Sequence, residues 1–167
     1  MTAQYAPHID SELVAILESV SDPEIPVLTV LDLGVIREAI LKDNTVHILL
    51  TPTYSGCPAM DVISEDLAAA FKAKGLETKI DLVLHPAWST DWISQAGREK
   101  MQAYGIAPPL NETHDKQALL GDARLIACPQ CKSTNTKLVS QFGSTACKAL
   151  FKCEDCLEPF DYFKCLR

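Results

Sequence analysis

Two Cys-x-x-Cys pairs near the C-terminal end of the chain constrain its fold more than any other feature. Cys128 and Cys131 frame “CPQC”, Cys153 and Cys156 frame “CEDC”, and 21 residues separate the two pairs. Each pair can turn two sulfur atoms towards one ion, and two pairs complete a tetrahedron of thiolates at about 2.3 Å from zinc. Segments such as “STNTKLVSQFG” and “EPFDYFKC” are typical of strands. The sequence therefore predicts a zinc ribbon.

A ribbon of this size depends on its metal, because a segment of about 40 residues is too short to build an adequate hydrophobic core. Two disulfides are the alternative use of the four cysteines. The N-terminus “MTAQYAPHIDSEL” lacks the pattern of a secretory signal, and no apolar run is long enough to span a membrane. We therefore expect a cytoplasmic protein, in which cysteines bind metals more often than they form disulfides.

Cys147 and Cys165 are left over from the two pairs. Each is either a spare ligand or a small buried hydrophobic residue. An iron–sulfur cluster shared among the six C-terminal cysteines also stays open, because spacing alone does not separate zinc from iron. The expected structural metal is Zn²⁺.

Charge is distributed unevenly along the 167 residues, whose net charge is −7. Residues 123–167 carry seven basic and four acidic side chains, and the preceding residues carry eight basic and eighteen acidic ones. Four thiolates on one Zn²⁺ would bring the C-terminal segment close to neutral. A strong interaction with nucleic acid is therefore disfavoured, and the asymmetry marks a domain boundary instead.

The rest of the chain has the hydrophobic periodicity of a small α+β domain. Residues 107–122, “APPLNETHDKQALLGD”, show no sustained period and predict a linker, so we expect an α/β domain over 1–106 and a zinc-ribbon domain over 123–167. The predicted order α-β-β-α-β-α gives a small mixed sheet with packed helices. The segments are a helix in “IDSELVAILESV”, two strands in “VIREAILKDNTVHILLTPT”, a helix in “PAMDVISEDLAAAFKAKG”, a strand in “ETKIDLVLHP” and a helix in “STDWISQAGREKMQAYGIAPP”.

Cys57 stands alone in “TPTYSGCPAM”, where a strand ends and a helix begins. Pro58 suits the first position of a helix, which would make Cys57 the N-cap residue. The helix dipole would then lower the pKa of the thiol and favour a reactive thiolate. A small apolar residue at the end of a buried strand is the equally open alternative.

Asp22 in “SDPEIP” presents a similar choice. An aspartate before a proline most often forms a turn. A carboxylate and a thiolate on neighbouring loops could also hold a metal ion transiently.

At these residues the sequence resembles known families. “DPEIPVLTVLDLGVI” and the strand ending “TPTYSGCP” resemble the SufT-like family of iron–sulfur assembly factors, in which the Asp of DPE and the Cys of GCP are the functional pair. The resemblance assigns those roles to Asp22 and Cys57. With “CPQC”, “FGSTACKALFKCEDC” and “EPFDYFKC”, residues 12–167 resemble the PaaD/PaaJ family, the D components of bacterial phenylacetyl-CoA oxygenase (epoxidase) gene clusters.

The resemblance implies an accessory protein of phenylacetate catabolism, which assists the insertion or maintenance of iron–sulfur clusters, or of iron, in oxygenase components. Its implied partners are those components and the iron–sulfur assembly machinery, its transient cargo is iron or a cluster, and a homodimer stays open. The alternatives are a non-catalytic structural or regulatory subunit of the oxygenase, or a zinc-ribbon nucleic-acid-binding protein. The chain has no Glu-x-x-His pair of the di-iron type, which disfavours a catalytic oxygenase subunit.

Overall fold

Each of two β-sheets organises its own part of the chain. The computed structural model describes residues 7–110, 119 and 126–164. One unit runs to Trp88 and includes Trp92–Ser94, and the other comprises Ser89–Asp91 and the chain from Gln95 onward. The expected α+β class with a C-terminal ribbon is confirmed.

The sheet of the first unit has four strands in the order β1-β2-β3-β4. Strands β2 and β3 are antiparallel, whereas β1 runs parallel to β2 and β4 runs parallel to β3. Asp43 and Asn44 both have positive φ, 47° and 63°, which is the backbone that a tight two-residue hairpin requires. This confirms the predicted pair of strands. The strand bounds are β1 His8–Ile9, β2 Ile36–Lys42, β3 Thr45–Leu50 and β4 Glu77–Leu82.

The helices of the first unit differ in how well the sequence predicted them. Helix α2, Ala59–Lys72, buries the expected apolar face and is followed by Gly75 with φ 77°. Helix α1 is only Val14–Leu17, after a 3-10 turn at Ser11–Leu13, so the long first helix was a wrong prediction. Asp10 precedes the 3-10 turn, but its side chain makes no capping hydrogen bond; its carboxylate accepts the backbone N–H of Leu41 at 2.8 Å.

The second unit contains a helix and the sheet of the ribbon. Its strand order is β5-β8-β7-β6, with β5 parallel to β8 and the other neighbours antiparallel. The predicted ribbon strands are present, whereas β5 was not predicted. The helix expected in “STDWISQAGREKMQAYGIAPP” begins only at Gln95, because Thr90–Trp92 form a separate 3-10 turn. The bounds are α3 Gln95–Tyr104, β5 Ile106–Ala107, β6 Thr136–Ser140, β7 Lys148–Cys153 and β8 Pro159–Phe163.

Helix α3 and strand β5 belong to the ribbon's unit, so the structural division falls before the predicted boundary at residue 106. The reason is long-range pairing: Ala107 lies opposite Tyr162 of β8, and both are buried in one core. The Arg98 guanidinium also donates to the carbonyls of Thr90 and Pro109, both at 2.7 Å. Most of the predicted linker lies outside the described residues.

Cleavage within 107–122 should nick the chain without separating its pieces. Strand β5 would remain in the N-terminal piece, while its partner β8 would be in the C-terminal piece. We expect trypsin cleavage at Lys116 to give two bands in a denaturing gel and a single peak in native size-exclusion chromatography. Separation of the pieces without denaturant would contradict the pairing of β5 with β8.

Candidate metal centre and the Cys57 loop

The four cysteines of the two pairs converge at one end of the ribbon. Their Sγ atoms all lie within 4.8 Å of one another. The Sγ atoms of Cys128 and Cys156 are 3.7 Å apart, and those of Cys131 and Cys153 are 3.5 Å apart. Four thiolates at about 2.3 Å from a tetrahedral zinc ion lie about 3.8 Å apart, whereas a disulfide requires about 2.05 Å. The arrangement fits a metal site and excludes disulfides among these four residues.

The two pairs share one backbone design. The residue after each second cysteine has positive φ, 65° at Lys132 and 67° at Leu157. The first cysteine of each pair then donates its N–H to a carbonyl five residues on, from Cys128 to Ser133 at 2.8 Å and from Cys153 to Glu158 at 3.0 Å. Neither positive-φ position is a glycine, so composition alone does not indicate these turns.

Backbone N–H groups support the thiolate form of one ligand. The N–H of Cys156, helped by that of Asp155, lowers the pKa of Cys153 to about 7. Donation from Ser133 and Asn135 lowers the pKa of the Asp155 carboxyl. These bonds tie the second pair to the segment that follows the first. The sequence analysis did not predict these hydrogen bonds around the ligands. The aspartate inside “CEDC”, Asp155, was the signal that could have indicated them.

The metal-ligand set is continuous with the ribbon's hydrophobic core. Cys128 and Cys153 are fully buried among the same residues as Phe151. The Phe151 ring stacks on Phe160 with centroids 5.9 Å apart and meets Tyr162 edge-on at 5.6 Å. Loss of the metal would therefore disturb this aromatic cluster directly.

Cys147 lies away from the four ligands. It precedes β7, whereas Cys153 ends that strand, and six residues of strand span about 20 Å. Cys147 is buried and shares a hydrogen bond with Thr145 Oγ1 at 3.1 Å. It is therefore a buried residue and not a fifth ligand, which also excludes a cluster shared by all six C-terminal cysteines. Cys165 lies outside the described residues.

Cys57 is half-buried in the loop that joins β3 to α2. Its N–H donates to the carbonyl of Tyr54, and its own carbonyl accepts the N–H of Met60, both at 3.3 Å. Pro58 is the N-cap residue of α2, so Cys57 lies one residue before its predicted position. Gly56 has φ 80° and open space beside its Cα, which leaves this side of the loop accessible.

The pKa of the Cys57 thiol is raised, whereas the N-cap interpretation, one of the two left open by the sequence, predicted that it would be lowered. Burial is the largest cause, and the negative charges of Glu24 and Asp22 act in the same direction. Hydrogen bonds from the N–H of Ala59 and the Tyr54 side chain oppose the shift but do not overcome it. The favourable end of the helix is present, yet desolvation and two carboxylates outweigh it. Cys57 is therefore a neutral thiol at rest.

Asp22 forms a turn, which was one of the two roles that the sequence left open for it. Its Oδ1 accepts the N–H groups of Glu24 at 2.8 Å and Ile25 at 2.7 Å, and the side chain is buried. This turn places two carboxylates, those of Asp22 and Glu24, where their charges act on Cys57. Sequence reasoning missed Glu24, although it is the third residue of the same DPE motif. Among the described residues, only the four ribbon cysteines form a group of three or more side chains close enough to hold an ion together.

Alkylation of Cys57 should be slow at neutral pH and should accelerate as the pH rises through the raised pKa of the thiol. Glu24→Gln removes one of the charges that raise this pKa, so it should increase the rate at neutral pH. Mass spectrometry of the modified Cys57 peptide measures the rate. Glu18→Gln is the matched control, because Glu18 is not among the charges that act on Cys57. Equal rates in the wild type and Glu24→Gln would refute the coupling.

No helix among the described residues is both long enough and apolar enough to cross a membrane.

Comparison with known proteins follows the division of the chain. The family “Iron-sulfur cluster assembly protein” matches residues 10–82, and the family “PaaD zinc beta ribbon domain” matches residues 112–164. An Escherichia coli (strain K12) protein, provisionally named as the D subunit of 1,2-phenylacetyl-CoA epoxidase, is 45% identical over 165 residues, 98% of each chain. The chain belongs to the PaaD family. The resemblance proposed from the sequence motifs is thereby confirmed.

The N-terminal part of this PaaD-family chain also has relatives outside the family. A Porphyromonas gingivalis “Fe-S protein maturation auxiliary factor” is 39% identical over 89 residues, 52% of this chain and 84% of the relative. The crystal structure of a “Domain of Unknown Function DUF59” from Bacillus anthracis matches 54% of this chain and 88% of its own, with 26% identity and a TM-score of 0.50. An iron–sulfur maturation fold and a PaaD-type ribbon are therefore joined in one chain.

Proposed function

We propose that this protein is an accessory factor that assists the insertion or maintenance of iron or iron–sulfur clusters in the components of a phenylacetyl-CoA oxygenase. The observation that carries the proposal is the alignment of the whole chain with an epoxidase D subunit, together with a maturation-factor domain that contains Asp22 and Cys57. On this proposal the Cys57 loop handles the cargo, and the ribbon serves as a folded module for contact with the oxygenase components.

The metal of the ribbon is proposed to be one structural Zn²⁺ held by the four cysteines. All four Sγ atoms lie within 4.8 Å of one another, and the separations of 3.7 Å and 3.5 Å are close to the spacing of about 3.8 Å between sulfurs around a tetrahedral zinc ion. Four protein ligands fill a tetrahedral site, so this metal would stabilise the fold and would have no free position for cargo.

The chemistry of the Cys57 loop suits transient binding of a cation. The neutral thiol has to lose its proton before it binds a metal, and an arriving cation favours that loss. The carboxylates of Asp22 and Glu24 raise the pKa of the Cys57 thiol when no metal is bound, yet the same negative charges attract a cation. Because protons compete with the metal, the cargo could be released again. Such a site is suited to passing iron on.

Anaerobic titration of the zinc-loaded protein with ferrous iron tests this site. We expect a thiolate-to-iron absorption band that is lost in Cys57→Ala and weakened in Asp22→Asn, with zinc content unchanged. Cys147→Ala is the matched control, because it removes a cysteine thiol that lies outside the group of four ribbon cysteines and outside the Cys57 loop. A band that persists in Cys57→Ala would contradict the role of Cys57.

A further inference from the structure

Strand β4 has an outer edge that no described strand covers. It is the last strand of its sheet and pairs with β3 on one side only. The N–H of Glu77 donates to Asn44 at 3.1 Å, and the N–H of Val83 donates to Leu50 at 2.9 Å. Odd-numbered backbone groups of β4 therefore face β3. Because these groups alternate along a parallel strand, the even-numbered ones, such as those of Ile80, point outward.

This edge lacks two of the features that normally prevent strand pairing, a bulge and a proline. The register with β3 is continuous from Glu77 to Leu82. Lys79 is its one basic residue. At the end of the strand, Leu82 and Leu84 are 54% and 63% exposed, although both are large apolar side chains. The edge combines unpaired backbone groups with exposed apolar surface.

We propose that β4 pairs antiparallel with β4 of a second copy of this chain, about a two-fold axis at Ile80. In this register Ile80 lies opposite Ile80 of the second copy, and Thr78 lies opposite Leu82. All of these residues direct their backbone groups outward, so each pair exchanges hydrogen bonds across the axis. The two four-stranded sheets become one continuous sheet through a self-complementary contact.

The charges of β4 favour pairing with β4 of a second copy, and they favour this register over the neighbouring ones. Lys79 lies opposite Asp81 of the second copy, and the symmetry makes this favourable pair twice. A register centred on Lys79 would oppose two lysines and would place Glu77 opposite Asp81, while one centred on Asp81 would oppose two aspartates. Like charges directly opposite destabilise a strand pair, whereas unlike charges stabilise it. Within one chain the Lys79 and Asp81 side chains are 4.0 Å apart and mostly exposed, so both are available for the contact.

The exposed leucines follow the same register. Leu84 and Leu76, which lie just beyond the two ends of β4, come close to each other across the paired strands. The contact therefore covers apolar surface that the single chain leaves in water. This inference is independent of the proposed role in iron handling.

Sedimentation equilibrium of the zinc-loaded protein tests the dimer. The wild type should be a dimer at micromolar concentration. Lys79→Asp and Asp81→Lys each create two like-charge pairs, and each should raise the dissociation constant at least about tenfold. The double variant Lys79→Asp/Asp81→Lys exchanges the two charges and should restore the wild-type value. Circular dichroism and zinc content serve as controls for folding.

Mixing the two single variants gives a second, independent measurement. One chain then has two aspartates and the other has two lysines, so a heterodimer should form more tightly than either single variant associates with itself. A monomeric wild type would overturn the proposal. A dimer insensitive to both single changes, or not restored by the double variant, would overturn the β4 interface.

Discussion

Replacing Cys153 with serine should release the metal from the ribbon and unfold the second unit. Cys153 supplies one of the four clustered sulfurs and is fully buried in the core that contains Phe151. In small metal-bound domains the free energy of metal binding supplies the free energy of folding. Loss of one thiolate should therefore abolish both metal binding and folding. Elemental analysis should show loss of most of the metal. Near-ultraviolet circular dichroism should show loss of the aromatic signal of Phe151 and its neighbours.

The effect should extend beyond the ribbon itself. Helix α3 and strand β5 belong to the same unit, so they should lose protection from hydrogen exchange together with β8. The first unit, which contains α2, should keep its protection. Cys147→Ser is the matched control. Cys147 is also a buried cysteine beside the ribbon sheet, but it lies away from the four clustered sulfurs. Full metal retention in Cys153→Ser would contradict the four-cysteine site.

The parts of the fold that could be predicted are those that local sequence determines. The tight turn at Asp43 and Asn44, the apolar stripe of α2 and the spacing of the two Cys-x-x-Cys pairs each depend on neighbouring residues. The ribbon and most of the first sheet followed from these patterns.

Long-range contacts account for what was missed. Strand β5 exists because Ile106 and Ala107 lie opposite residues of β8 more than fifty positions away, and nothing in “GIAPP” signals that pairing. The N-cap interpretation gave the wrong direction for the pKa of Cys57 for the same reason. The helix dipole can be inferred from Pro58 and the residues after it. The burial of the thiol and the approach of Asp22 and Glu24 depend on the folded chain.

Cys57→Ala should leave the protein folded but impair its ability to supply iron or iron–sulfur clusters to the oxygenase components. The Cys57 thiol is half-buried and lies outside the helix cap, so its truncation should cost only about 1 kcal/mol of folding free energy. The zinc content should not change. Oxygenase components produced beside this variant should have depleted iron–sulfur clusters and correspondingly low activity. Melting temperature and metal content of the purified variant establish that it is intact.

Asp22→Asn separates the charge of Asp22 from its turn. The amide oxygen of asparagine can still accept the N–H groups of Glu24 and Ile25, so the turn should persist. If the carboxylate acts with Cys57, this variant should reproduce the Cys57→Ala phenotype. If cluster content is normal in both variants while oxygenase activity still requires the chain, the protein is a structural or regulatory subunit and the assembly role is wrong.

The iron content of the oxygenase components distinguishes a factor that supplies their iron from a structural subunit. Oxygenase components should be isolated anaerobically from cells that make them with the wild-type chain, with Cys57→Ala, with Cys147→Ala or without the chain. We expect full iron content with the wild type and with Cys147→Ala, and equally depleted iron content with Cys57→Ala and in the absence of the chain. Full iron content beside a folded, zinc-loaded Cys57→Ala variant would contradict this expectation.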